Sequence, residues 1–259
     1  MRRPASTPEV LVRMEGDLNM SCRKCFLTFT LTALTAVGLA GNAAGAEKIK
    51  VLLLGGGGHD LKGFNALMSE VLEKTGDFDV TFFKNLDDLK RENITKYDLV
   101  LFYGSGGNFA NPEQEKGLDD FVSGGGGLAG VHATDSFKKS DVFWRLLGGR
   151  FIGHGGGKFT IRIDDKKHPI TAPMKDFEIS DETYRDKYHP DFKLHSLGRV
   201  DRGKEQQSMI WVQKFGKGRV FNTTLGHGKA AWTNPHFQRL VVRGLYWAAG
   251  RDPKDPKSE

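Results

Sequence analysis

Cysteine is almost absent from this 259-residue chain: the two that occur are Cys22 and Cys25, and none follows. Beyond residue 25 the chain therefore has no thiolate nucleophile, no cysteine ligand for zinc and no disulfide. We interpret the stretch that holds both cysteines as a leader, so their C-x-x-C spacing is coincidental on this interpretation. Thiol chemistry is excluded from the mature protein that we predict.

The chain also lacks an apolar run long enough for a comfortable membrane span. Phe26–Leu39 carries no charge but falls short of the roughly 20 residues that a transmembrane helix needs. Arg23 and Lys24 precede this run, and Ala44-Gly45-Ala46 provides the small residues of a signal-peptidase site. Residues 1–46 are thus predicted to be an N-terminal extension with a signal peptide, and a retained membrane anchor is the alternative. We expect a periplasmic or secreted protein without stable membrane insertion.

The remaining residues suit one domain, predicted over 47–251, with a full hydrophobic core. Residues 252–259, with prolines and mixed charge, are predicted to form a disordered tail. The formal net charge is +6, of which five basic and three acidic residues lie in the leader. Basic residues elsewhere are interspersed with acids, as in Asp164–Lys167, so no nucleic-acid partner is expected. A homo-oligomer is left open.

Strand-like and helix-like segments alternate along the first half of the domain. Ile49–Leu54 is a buried-strand pattern, and Phe64–Leu72 has helical spacing that ends at Gly76. Further strands follow, among them Leu99–Tyr103 and Leu128–Val131, and this order predicts an α/β fold with a mostly parallel central sheet. The second half is less regular: one strand is predicted at 159–163, and a strand pair at 209–212 and 219–223.

The most informative motif is the glycine-rich strand that ends at His132. In parallel sheets the carboxyl ends of the strands are where ligands and catalytic groups collect, and a sharp turn there can present one side chain. Histidine in this place can act as a general acid or base or as a metal ligand. Asp135 follows on the same turn and is a second catalytic candidate. A buried core histidine is the alternative interpretation of His132.

Two further histidines follow strand-like runs. His59 and Asp60 come after the glycines that end the first strand, and His227 lies between glycines after the strand at 219–223. The first glycine loop does not match a dinucleotide fingerprint, because Asp60 stands where the third glycine is needed. We therefore favour an active-site loop in which His59 and Asp60 contact substrate, while His227 is a catalytic candidate.

Other candidates come from the irregular part of the chain. Glu182 and Tyr184 are two residues apart in a predicted loop, so an extended backbone would point both side chains the same way. Glu182 is a candidate acid or base, and Tyr184 and His154 are candidate substrate contacts. Trp232 is either a platform that stacks on a sugar or a residue that covers the edge of the core.

Together, His59, His132 and His227 with a carboxylate such as Glu182 match the ligand set of zinc or another divalent ion. Their spacing is not a local motif, so the site depends on convergence in three dimensions. Acid–base chemistry by the same residues without a metal is the competing hypothesis.

Several short motifs, in this order, resemble the ThuA-like family of trehalose-utilisation type, whose fold is similar to that of class I glutamine amidotransferases. The resemblance covers 48–251, nearly all of the predicted mature chain. The matching segments are Gly125–His132, His168–Thr171, Asp181–Tyr184, Lys217–Phe221, Leu225–Gly228 and Gly244–Ala249.

This resemblance implies a flavodoxin-like three-layer sandwich in which His132 occupies the place of the amidotransferase cysteine, without glutaminase activity. It also implies a role in disaccharide catabolism, through 3-keto-glycosides. The leading hypothesis is an enzyme that cleaves or isomerises a keto-glycoside. A non-catalytic periplasmic sugar-binding protein and a structural interaction module are the alternatives.

Overall fold

A computed structural model describes residues 47–56, 58–104, 108–136, 139–202 and 205–256. The predicted leader, residues 1–46, lies outside the described residues. The strands are β1 (Ile49–Gly56), β2 (Phe78–Phe82), β3 (Leu99–Gly104), β4 (Gly127–Val131), β5 (Gly149–Ile163), β6 (Phe177–Tyr188), β7 (His195–Arg202), β8 (Glu205–Phe215) and β9 (Gly218–Thr223). The α-helices are α1 (Leu61–Thr75), α2 (Arg91–Ile94), α3 (Pro112–Gly124), α4 (Asp141–Leu147), α5 (Lys229–Trp232) and α6 (Pro235–Ala248).

These strands form one sheet in the order β2-β1-β3-β4-β9-β8-β7-β5-β6. The pairings from β2 to β9 are parallel, and those from β9 to β6 are antiparallel. The predicted α/β sandwich is confirmed, but its sheet is mixed, with the parallel strands gathered in one half. Because β1, β4 and β9 all belong to the parallel half, their carboxyl ends meet at one edge.

Hydrophobic cores cover both faces of the parallel half. Val51 and Leu53 of β1 point into one core, which includes α1 and α6, while Leu52 and Leu54 point into the other, with α3 and α4. Burial on both faces explains why this strand is an uninterrupted apolar run. Helix α1 ends at Gly76, whose φ of 78° is the left-handed conformation of a helix cap, as the sequence predicted.

A long β5–β6 hairpin is the main element that the sequence did not predict. Only the end of β5 was predicted as a strand, and the segment around Glu182 was predicted as a loop. Glycines at 153 and 155–157 weaken the strand pattern, yet Gly153–Gly157 pair with Arg185–Asp181 across the hairpin. Pairing with β6 therefore stabilises as a strand a segment that its local sequence does not predict to be one.

The chain after α6 stays against the body of the domain as far as it is described. Asp255 pairs with Arg239 at 2.6 Å and with Arg243 at 2.9 Å, and Lys254 pairs with Asp77 at 2.6 Å. Lys254 and Asp255, in the segment predicted to be disordered, therefore contact the fold, and residues 257–259 lie outside the described part.

Candidate functional site

His132 ends β4 in an unusual backbone conformation. Its φ of 62° is the only positive value at a non-glycine residue in the described part of the chain, and such conformations cluster at functional sites. The turn is fixed on both sides, because His132 N donates to the Thr223 carbonyl at 2.8 Å and Thr134 N donates to the His132 carbonyl at 2.6 Å. The glycine-rich strand thus ends in a constrained turn that aims the imidazole.

Hydrogen bonding determines which nitrogen of His132 is available. Nδ1 lies 3.1 Å from the Thr224 carbonyl, which can only accept, so Nδ1 carries the proton and Nε2 has a free lone pair. Burial lowers the pKa of His132 to about 3, which keeps the ring neutral. His132 is fully buried, as the alternative interpretation held, yet its Nε2 faces other functional groups.

Three imidazole nitrogens converge at this point. His132 Nε2 lies 3.1 Å from His59 Nε2 and 3.2 Å from His227 Nδ1, and the three ligand atoms lie within 4.8 Å of one another. Nitrogens about 2.0–2.1 Å from a tetrahedral zinc ion are roughly 3.3 Å apart. Burial and the neighbouring His227 also lower the pKa of His59, which favours the neutral, ligating form. The donor set therefore fits a divalent metal ion.

Glu182 reaches the same point from β6. Its Oε2 lies 3.4 Å from His227 Nδ1 and 3.8 Å from His132 Nε2, and its Oε1 lies 3.4 Å from His154 Nδ1 on β5. The prediction placed Glu182 in a loop, whereas the structure places it on a strand. The carboxylate can thus serve as a fourth ligand or as a base beside the histidines.

Tyr184 lies on the same face of β6, as expected for residues two apart in an extended strand. Its hydroxyl is 3.2 Å from His132 Nε2, where it can donate to that lone pair as long as no metal ion takes it. Burial raises the pKa of the phenol well above its usual value, so the group keeps its proton at neutral pH. Phe151 packs against the Tyr184 ring at 4.6 Å between centroids. Tyr184 is a positioned proton donor.

Asp181, which the sequence reasoning did not assign a role, holds the loop that carries His227. Its carboxylate accepts hydrogen bonds from Gly226 N at 2.6 Å and from His227 N at 3.1 Å. Burial raises its pKa, and these backbone donors oppose that shift. The sequence signals were its position directly before Glu182 and its place in the segment Asp181–Tyr184, which resembles the ThuA-like family.

The remaining candidates lie outside the histidine cluster. Asp60 caps α1 through a 2.8 Å bond from Gly63 N. Trp232 is 3 % exposed, and its Nε1 donates to the Gly226 carbonyl at 2.6 Å, so the structure favours the core interpretation over the sugar platform. Asp135 is buried and interacts with Asp186.

Fold and site together define a flavodoxin-like α/β protein with a three-histidine centre at the carboxyl edge of its parallel strands. The sequence matches the ThuA family, described as trehalose utilisation, over residues 50–248. The chain therefore belongs to the ThuA family. A search of curated proteins gives no match.

Several solved structures share the fold of this chain. A ThuA-like protein from Parabacteroides merdae has 23 % identity and a TM-score of 0.71, with 81 % of this chain and 93 % of that chain covered. One from Bacteroides uniformis has 17 % identity and a TM-score of 0.68, covering 85 % and 99 %. A β-galactosidase from Bacillus circulans has 11 % identity and a TM-score of 0.58, covering 80 % of this chain but 32 % of that chain. At these identities the likeness shows the fold alone.

No helix in the described part of the chain is long and apolar enough to cross a membrane.

Proposed function

We propose that this protein is a secreted enzyme that acts on keto-glycosides by metal-assisted or acid–base chemistry. The observation that carries the proposal is the convergence of His59, His132 and His227 with Glu182 and Tyr184 around one point. Membership of a family described as trehalose utilisation supports a disaccharide-derived substrate.

The three histidines would hold the metal, with Glu182 as a further ligand or a free base. A bound divalent ion would supply Lewis acidity toward a substrate oxygen. The 3.1 Å bond from His132 Nδ1 to Thr224 is the kind of outer contact that fixes a ligating imidazole in the correct tautomer. The protein's own groups then determine where protons move.

A ketone acidifies the hydrogen on the neighbouring carbon, and the site offers a base and an acid to exploit that. Glu182, next to His154 and His227, accepts this proton. The electron pair left on carbon forms a double bond as the glycosidic C–O bond breaks, and the leaving oxygen takes the proton that Tyr184 holds. Removing one such acid or base typically costs about 10²–10⁴ in rate.

Two alternatives make different predictions. A metal-free enzyme would keep its turnover after chelation. A sugar-binding protein would bind without turnover, and burial of Trp232 removes the aromatic platform on which that hypothesis relied. Export remains a proposal based on the leader sequence alone.

The decisive experiment measures metal content and turnover on protein purified without a histidine tag. We expect close to one divalent ion per chain, cleavage or isomerisation of oxidised disaccharides, and loss of both in His132→Ala and His227→Ala. His195→Ala, at an exposed histidine paired with Asp165, is the matched control and should behave as the wild type. Full turnover in His132→Ala would contradict the proposal.

A further inference from the structure

A groove opens beside the histidine cluster, between the β5–β6 hairpin and α5. Its volume is about 490 Å³, which lies within the range of small-molecule sites. Glu182 and His227 form part of its lining, so a molecule in the groove would reach the reacting groups directly.

Three glycines, Gly156, Gly157 and Gly228, are among the residues that line the groove. A side chain added at Gly157 or Gly228 would meet no heavy atom within 4 Å, and one at Gly156 would meet only the backbone of β6. These glycines keep open a space that ordinary side chains would fill. Gly228 has a φ of −162°, an extended conformation that any residue adopts, so its lack of a side chain is not required by the backbone.

The charged side chains that line the groove differ in whether they have a hydrogen-bond or ion-pair partner. The Asp181 carboxylate accepts bonds from three backbone N–H groups, those of Glu182, Gly226 and His227. Lys158 pairs with Glu178 at 2.9 Å. Lys229, on the α5 wall, is exposed and has no carboxylate within ion-pair distance among the described residues.

We propose that this groove binds the part of the substrate that does not react, and that Lys229 favours an anionic substituent there, such as the carboxylate of a uronic acid. The proposal rests on the proposed function and deepens it, because it names acidic glycosides as the preferred class. The Asp181 carboxylate in the same lining is bonded by backbone N–H groups, and Glu182 faces His132 and His227. Neither carboxylate forms an ion pair with Lys229 in the described part of the chain, so its ammonium is free to meet an anionic group.

The test uses calorimetry to measure the affinity of the whole protein for three disaccharides: a neutral one, its uronate derivative and its sulfate ester. We expect the uronate to bind about three- to tenfold more tightly than the neutral sugar, the range of an exposed to partly buried charged hydrogen bond. Lys229→Glu should abolish the preference, and Lys193→Glu, at an exposed lysine outside the groove, should keep it. If the sulfate ester binds as much more tightly than the neutral sugar as the uronate does, the groove prefers anions in general. If only the uronate binds more tightly, the groove prefers a carboxylate.

A blocking variant tests the groove itself. Gly228→Phe should prevent binding of all three sugars, whereas Gly124→Phe, at another glycine with open space around its Cβ position, should not. Thermal unfolding of both variants confirms that they fold, and Lys229→Glu tests the proposal independently. Equal affinities for neutral and acidic sugars would overturn this inference even if keto-glycosides are turned over. An acid preference without turnover would instead contradict the proposed reaction and leave the groove assignment in place.

Discussion

Asp181 provides a sharp test of how the site is assembled, because it acts on His227 from outside the cluster. Its carboxylate accepts two hydrogen bonds from the His227 loop, from Gly226 N at 2.6 Å and His227 N at 3.1 Å. Hydrogen bonds to a charged group contribute about 1.5–3 kcal/mol each. Asp181→Ala removes both of these and a third bond from Glu182 N, but it also relieves the cost of burying the carboxylate, so it should lower the free energy of unfolding by about 3–6 kcal/mol. Asp181→Asn keeps one acceptor oxygen and should lose about half of that.

Both Asp181 variants should also weaken metal binding, because mutating an outer residue that positions a metal ligand typically lowers metal affinity by about 10–100-fold. Urea unfolding of the metal-free protein gives the stability, and zinc titration of the folded fraction gives the affinity. Asp176→Asn is the matched control, because Asp176 also accepts a backbone hydrogen bond, from Ile163 N at 2.9 Å, and does not contact the His227 loop in the described hydrogen bonds. Wild-type affinity in Asp181→Asn would refute the reasoning that this carboxylate positions His227.

Four further predictions concern other parts of the chain. Burial raises the pKa of Asp186 above the usual carboxyl value, so the folded state holds this proton more tightly and the free energy of unfolding falls as pH rises through the range between the two values. Asp186→Asn should remove that fall in urea unfolding at pH 4 and pH 8, and an unchanged pH dependence would contradict it. His132→Ala should lose the metal ion, and turnover with it, while the protein stays folded by circular dichroism, because His132 is one of the three proposed ligands; a stability loss with intact specific activity would instead mean a core role. Mass spectrometry of the protein from its native envelope should find a start near Glu47, and a mature chain that contains Cys25 would refute cleavage there. Thiol-alkylating reagents should leave the activity of the mature protein unchanged. Inactivation without modification of any residue other than cysteine would refute the thiol-free mechanism.

The sequence predicted the parallel half of the fold because each of its strands carries a complete local signal. β1 and β3 are apolar runs bounded by glycine, and His132 follows such a run, so its place at the carboxyl edge followed from the fold class. The β5–β6 hairpin was missed since its glycines give no alternating pattern, and its order comes from cross-strand pairs such as His154 with Tyr184. The roles of Asp181 and Trp232 depend on contacts with Gly226, which lies more than 40 residues from Asp181 and which spacing alone does not reveal.

The convergence of the histidines depends on one small residue that no motif identifies as functional. In the sheet, β3 lies between β1 and β4, so His59 must cross the end of β3 to reach His132. A Cβ at Gly104 would lie 3.2 Å from His59 Cβ and Nδ1 and 3.1 Å from the Gly56 carbonyl, and Gly104 has a φ of 68°, a conformation that favours glycine. The glycine at the end of β3 therefore lets His59 pass over that strand, and the three-histidine centre follows from the backbone at 104 as much as from the histidines themselves.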